Sequence, residues 1–234
     1  GPIHRINLLI PGGKSHEIGK NTQSDRDVHN LLDRFPPHLQ FTTEEESRGE
    51  AGLRAMGITE GALFVCLIIR DGAYLESHFA KNDWNYHNYR DSDIQNYVLA
   101  AETLAERGFF VIRMGAKVNA VINSGQPKVI DYAINGMRSD FMDIYLGAKC
   151  EFCISSGTGF DAVPYVFRRP IAYINTIPVG YLHTSREHLG IFKHHLDAGS
   201  KRELSLSEIF PNDVDFCLRT SEYESKGVDL IENT

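Results

Sequence analysis

The sequence predicts a doubly wound α/β domain built on a mostly parallel sheet, and three features point to it. The first is the run Leu63-Phe-Val-Cys-Leu-Ile-Ile69, apolar throughout, as a strand covered on both faces must be. The second is a regular strand–helix alternation from Leu63 to Asn175. The third is the segment from Glu151 to Asn175. There a strand runs into Ser155-Ser-Gly-Thr-Gly159, a helical pattern begins at once, and Ile171 to Asn175 reads as the next strand, a compact βαβ unit.

Taken in order, Asn7 to Ile10 predicts a short strand closed by Pro11-Gly12-Gly13, and Ser24 to Arg34 a short helix with Val28, Leu31 and Leu32 on its apolar stripe. Thr42 or Thr43 caps a helix through about Met56, with Glu44 to Glu46 in the first turn, where the macrodipole favours acids. After the strand at Leu63, Arg70 to Asp91 reads as a long polar and aromatic loop. Ser92 and Gln95 form a capping box for a helix whose inner face carries Ile94, Tyr97, Val98, Ala101, Leu104 and Ala105, with Gly108 as the stop. Strands follow at Phe109 to Gly115 and Lys128 to Ala133. Ser139 then caps a helix with Phe141, Ile144, Tyr145 and Ala148 facing inward. The tail carries a helix at Ser205 to Phe210 and strands near Asp215 to Leu218 and Val228 to Ile231. Residues 1–60 are expected to form an irregular, partly helical segment and residues 61–234 a Rossmann-like domain. Gly1-Pro2 looks like the scar of a removed tag, a sign of a piece of a longer protein.

Composition narrows the function classes. With 234 residues, 42% hydrophobic and 24% charged, the chain is long enough for a substantial core. A net charge of −7 argues against general binding to nucleic acid or anionic membranes. The longest apolar runs are too short for a transmembrane helix, and a cytoplasmic location is expected. Cys66, Cys150, Cys153 and Cys217 are too scattered for a disulfide scaffold, and Cys150-x-x-Cys153 lacks a second ligand pair, so buried small hydrophobes are the better reading. His183, His194 and His195 also lack partners at metal-ligand spacing and read as surface or loop residues, so no metal is expected.

Open α/β sheets bind ligands beyond the carboxyl ends of their strands. The residues there are Arg70-Asp71, Arg113-Met-Gly115, Asp131-Tyr132, Ser155 to Gly159 and Asn175-Thr176. Arginine forks suit phosphate oxygens, and N–H groups at a helix start with glycines suit an anion at close approach. The donor diphosphate is therefore assigned to Arg113, Gly115, Ser155, Ser156, Gly157, Thr158 and Gly159, and the nucleoside to Asp131, Tyr132 and Tyr89. Each residue alone has a structural alternative, since Arg70 or Arg113 also suits pairing with Asp71 or Asp131. Neither G-x-G-x-x-G after the first strand nor a P-loop motif occurs; a Gly-rich turn late in the series suits a nucleotide-sugar.

Phe64 to Asp71, Tyr86 to Ile94, Val111 to Gly115, Ile130 to Tyr132 and the block from Ser139 to Pro170 together resemble a bacterial glycosyltransferase family, over most of the chain from about Ser24. More distantly the chain resembles the donor-binding, C-terminal half of GT-B enzymes of the fucosyltransferase type. These carry H-x-R-R after the first strand of that half; the aligned Ile68, Arg70 and Asp71 keep only the first arginine, a departure that counts against GDP-fucose as donor. The resemblance implies transfer of a sugar from a nucleotide-diphospho-sugar to a carbohydrate or other hydroxyl acceptor, in surface polysaccharide or glycoconjugate synthesis, with no cofactor and no metal. Arg70 serves the leaving diphosphate, Asp71 is the first candidate base and His87 the second. The run Trp84 to Arg90 suits stacking on a ring or pinning its own loop. A complete GT-B enzyme has two Rossmann-like halves, so the chain is expected to be the donor half of a longer protein or to hold a shortened first domain within residues 1–60. An additional N-terminal domain or a homo-oligomer is the expected protein partner. The alternatives are a non-catalytic nucleotide- or glycan-binding module and a nucleotide-sugar epimerase.

Overall fold

The computed structural model describes residues 2–13, 27, 31–79, 81, 83–182, 185 and 187–234. Pro2–Leu9 (α1) is helical, not extended: proline suits the first helical position, and Ile3, Ile6 and Leu9 recur at helical spacing. Most of the helix expected from Ser24 lies outside the described residues, and its end, Leu31–Arg34 (α2), is helical. Thr43–Ala55 (α3) starts at a full capping box, in which Thr42 Oγ1 accepts from Glu45 N at 3.2 Å and Glu45 accepts from Thr42 N at 2.8 Å.

Phe64–Ile68 (β1) is buried at every position, as its unbroken apolar run requires. The connection that follows is not a structureless loop. It folds into Ala73–His78 (α4) and a 3-10 turn at Asn85–Arg90, held by its own rings, with Trp84 stacked near Tyr86 and His87. Asp93, not Ser92, caps the next helical stretch, accepting from Gln95 N at 2.9 Å; the Ser92 hydroxyl instead donates to Glu232 at 2.7 Å. A 3-10 turn at Ile94–Tyr97 leads into Val98–Glu106 (α5).

Phe110–Arg113 (β2), Val129–Ile130 (β3), Asp140–Lys149 (α6), Cys153–Ser155 (β4), Ala162–Val166 (α7) and Ile171–Thr176 (β5) complete the expected series. Ser139 caps α6 through Met142 N as expected, but Ile144 is exposed. The inward stripe runs through Met142, Tyr145 and Leu146 instead. The tail adds Leu189–Phe192 (β6), His194–Asp197 (β7), Leu206–Ile209 (α8), Thr220–Ser225 (α9) and Val228–Ile231 (β8). No strand forms at Asp215 to Leu218, where the chain turns. His195 is buried in β7, not on the surface; His183 lies outside the described residues.

The main sheet runs β3-β2-β1-β4-β5-β6 with every pairing parallel, the Rossmann order, and β7 and β8 form a separate antiparallel pair. One face packs on α5 and the 3-10 turn before it, Val65 and Leu67 meeting Ile94, Tyr97 and Ala101. The other packs on α3 and α6 through Cys66, Ile112, Met142 and Leu146. Burying each large apolar side chain here contributes about 1.5–3 kcal/mol. Ile58, Leu53 and Met56 belong to this second cluster, so the packing continues across residue 60. Gly49 makes that contact close, since a Cβ there would lie 2.2 Å from the Tyr145 ring. Cys66, Cys150 and Cys153 are buried in the same cluster, and burial pushes the Cys66 and Cys153 thiols up, as inert core cysteines should be.

Candidate active site at the reversal of strand order

In a sheet of this order the crevice opens beyond the carboxyl ends of the two central strands, here β1 and β4. The two strand ends are stitched together: Arg70 N donates to Ser156 Oγ at 2.8 Å, and Ser156 N to Ile68 O at 3.2 Å. Above them lies a cavity of about 430 Å³ lined by Arg70, Asp71, Gly115, Lys117, Thr158 and Gly159 over an apolar floor of Ile68 and Met114. Gly115 sits at φ +150°, and a Cβ there would lie 2.5 Å from Val118, so glycine keeps this wall thin.

A second cavity of about 390 Å³ opens beyond β4 and β5, lined by His87, Tyr89, Arg90, Thr158, Asp161 and Tyr181 among others. A small one of about 190 Å³ lies between them against Trp84 and Asn88. Neighbouring cavities share walls: Arg70 belongs to the first and the small one, His87 to the small one and the second, Thr158 to both large ones. Arg70, His87 and Thr158 are therefore walls common to neighbouring cavities, each to one pair of them.

The Gly-rich turn is not an empty anion cradle. Asp161, fully buried, takes that place: its carboxylate accepts from Ser155 Oγ at 2.6 Å, Thr158 N at 2.9 Å and Thr158 Oγ1 at 3.2 Å. Gly157 N is likewise used by Ser155 Oγ at 3.0 Å. Burial lifts the Asp161 carboxyl to about 6 despite these donors. Ser155 and Ser156 are buried and hold the turn; Thr158 and Gly159 face the open space.

Arg113 departs furthest from its expected role. Its side chain is 1% exposed; Nη1 pairs with Asp131 at 3.1 Å and Nη2 donates to Ala120 O at 2.9 Å. Asp131 also accepts from Ile122 N at 3.0 Å. Tyr132 is fully buried, its hydroxyl accepting from Ser139 N at 2.9 Å, and burial pushes its phenol up to about 12. Arg113, Asp131 and Tyr132 thus form a sealed corner that ties β2 and β3 to the 120–139 segment, with no face toward the cavities. Asp71 is also committed, accepting from Ala73 N at 3.1 Å and Asn119 N at 2.8 Å, which suits holding two loops better than taking a proton.

His87 has no such commitment among the described residues, its Nδ1 being buried without a hydrogen-bond partner. Burial and the neighbouring Arg70, Arg90 and Arg219 hold its ring below the ordinary histidine range, so it stays neutral at neutral pH. Tyr89 is mostly buried against Tyr223 at 5.3 Å while still lining the second cavity. Arg70 is paired to Asp91 at 3.4 Å, and burial, then Arg90, draw its guanidinium down. Arg90 was absent from the sequence-based site; its Nη2 donates to Gly157 O at 2.8 Å. Its signal was its place directly before Asp91, at the end of the aromatic run.

No family model matches the chain, and no curated protein matches it. Among solved structures it is similar to ADP-heptose LPS heptosyltransferase II of E. coli, at 15% identity and a TM-score of 0.43, over 76% of this chain and 50% of that one. The chain therefore spans half the length of that structure. Among the described residues, no group of three or more His, Cys, Asp or Glu is placed to hold a metal ion, and no helix is long and apolar enough to cross a membrane.

Proposed function

We propose that the chain binds a nucleotide-diphospho-sugar across the β1/β4 crevice and transfers its sugar to a hydroxyl acceptor. One observation carries this reading: at the reversal of strand order, Arg70, Lys117, Thr158 and Gly159 line a single cavity of about 430 Å³ with an apolar floor. That size suits a nucleoside diphosphate, and cations beside fixed hydroxyl and amide donors stabilise a leaving diphosphate without reorganising. The family resemblance of the strand and turn motifs supports the sugar.

In the step itself the acceptor oxygen attacks the anomeric carbon, the bond from that carbon to the phosphate oxygen breaks, and the diphosphate leaves with the electron pair. His87, neutral and on the wall between the small cavity and the second one, accepts the acceptor's proton. Arg70 balances the charge that develops on the leaving group. The Thr158 amide and hydroxyl are already used by Asp161 and the Gly157 amide by Ser155, so the guanidinium and Lys117, with the Gly159 amide, supply most of that balance.

Release of nucleoside diphosphate from a panel of UDP-, GDP-, ADP- and dTDP-sugars tests the reading. Turnover of one donor, lost in His87→Ala, is expected. Saturable binding of a donor without any hydrolysis or transfer would make the chain a binding module instead.

A further inference from the structure

Arg90 ends the 3-10 turn Asn85–Arg90 and reaches across to the β4 turn, where it donates to the Gly157 carbonyl. Among the described residues no carboxylate stands within ion-pair distance of its guanidinium, and its Nε is buried with no partner. Arg70 next to it also has a buried Nε without a hydrogen bond, but differs in having a carboxylate, Asp91, at 3.4 Å. Arg90 faces the cavity of about 390 Å³ beyond β4 and β5, whose other walls include Tyr89, Pro178 and Tyr181. Asp161 also faces that space, yet its oxygens are taken by Ser155 and Thr158. His87 lines the same cavity as a neutral ring. Arg90 and Asp161 are thus the two charged groups on this wall. The carboxylate oxygens are already occupied, the guanidinium is the group with donors left to offer, and the flat faces available are aromatic.

We propose that this cavity is the acceptor subsite and that the acceptor is a sugar bearing an anionic group, a carboxylate or a phosphate, paired by Arg90. A guanidinium binds such a group through the hydrogens of its two Nη atoms, which fixes orientation as well as charge. Tyrosine rings pack on the C–H face of a sugar and keep their hydroxyls for its polar rim. With the anion at Arg90, an acceptor hydroxyl lies toward Thr158, the wall shared with the donor cavity, with His87 on the wall of the acceptor cavity itself. The proposal rests on the donor reading of the β1/β4 cavity.

The test is a ligand-observed NMR titration of the full chain with galacturonate, galactose 6-phosphate and neutral galactose, alongside UDP, GDP and ADP. At least one anionic sugar is expected to bind tenfold or more tighter than galactose. Arg90→Gln should abolish that preference and leave the affinity for the best diphosphate within threefold, while Arg90→Lys, which keeps the charge, retains part of the preference. Equal or absent binding of the three sugars overturns the proposal. So does an Arg90→Gln variant that keeps the preference, or one that loses tenfold in diphosphate affinity, because Arg90 then belongs to the donor site. Failure of the wild-type chain to bind any of the three diphosphates sinks the donor reading, whatever the sugars do.

Discussion

Two corners of the same sheet edge carry the same residue types and do opposite things. At the end of β1, Arg70 and Asp91 are 15% and 30% exposed, 3.4 Å apart, and line open space. At the ends of β2 and β3, Arg113 and Asp131 are 1% and 15% exposed, 3.1 Å apart, and sealed under the 120–139 segment. The position of an arginine just past a strand therefore does not decide whether it faces open space. What decides it is the connection that follows. The 114–128 connection folds back over β2 and supplies Ala120 O and Ile122 N to the pair, whereas the β1 connection moves away as α4 and leaves a crevice.

The largest expected effect comes from breaking the sealed corner. Arg113→Ala leaves Asp131 with a lost partner in a closed site, a loss of about 3–5 kcal/mol for a buried pair. Urea unfolding should show that loss. An unchanged midpoint would mean that the corner is open after all and that Arg113 is free for a ligand.

The next effect concerns the turn beside the open corner. Burial raises the Asp161 carboxyl to about 6, so the folded chain keeps a proton there that the unfolded chain has released above about 3.9. Stability from this group is fully present below the unfolded value and is lost as pH rises through the folded one. The loss is on the order of 3 kcal/mol between pH 4 and pH 7. Asp161→Asn, uncharged at every pH, should lack that slope in unfolding curves taken across the range. Parallel curves for the two proteins would remove Asp161 as the costly group in the turn.

Much of this was legible in the chain. The unbroken apolar run at β1, the Thr42–Glu45 capping box and the Ser139 cap fix their elements through local rules that tertiary packing did not override. β6 and β7 were not legible: Leu189-Gly-Ile-Phe192 and His194-His-Leu-Asp197 are short, with a glycine in one and three polar residues in the other, and only pairing with β5 and β8 makes them strands. The site was half legible. Every polar strand end was visible, but the split between sealed and open ends depends on contacts made by distant segments. One local clue was there to be used. Thr158-x-x-Asp161 is itself a capping pattern, which signals that the turn already contains its own anion.

The central claim is that the open corner, and not the sealed one, receives a nucleoside diphosphate. Amide chemical-shift mapping with UDP, GDP and ADP tests it most directly, with Arg70→Ala titrated in parallel. One diphosphate is expected to shift the amides of Arg70, Gly115, Thr158 and Gly159 and to leave Asp131 and Tyr132 in place. Arg70→Ala is expected to weaken that ligand at least tenfold, about 1.4 kcal/mol. Shifts centred on Asp131 and Tyr132, or an Arg70→Ala variant that binds as well as the wild type, would contradict it.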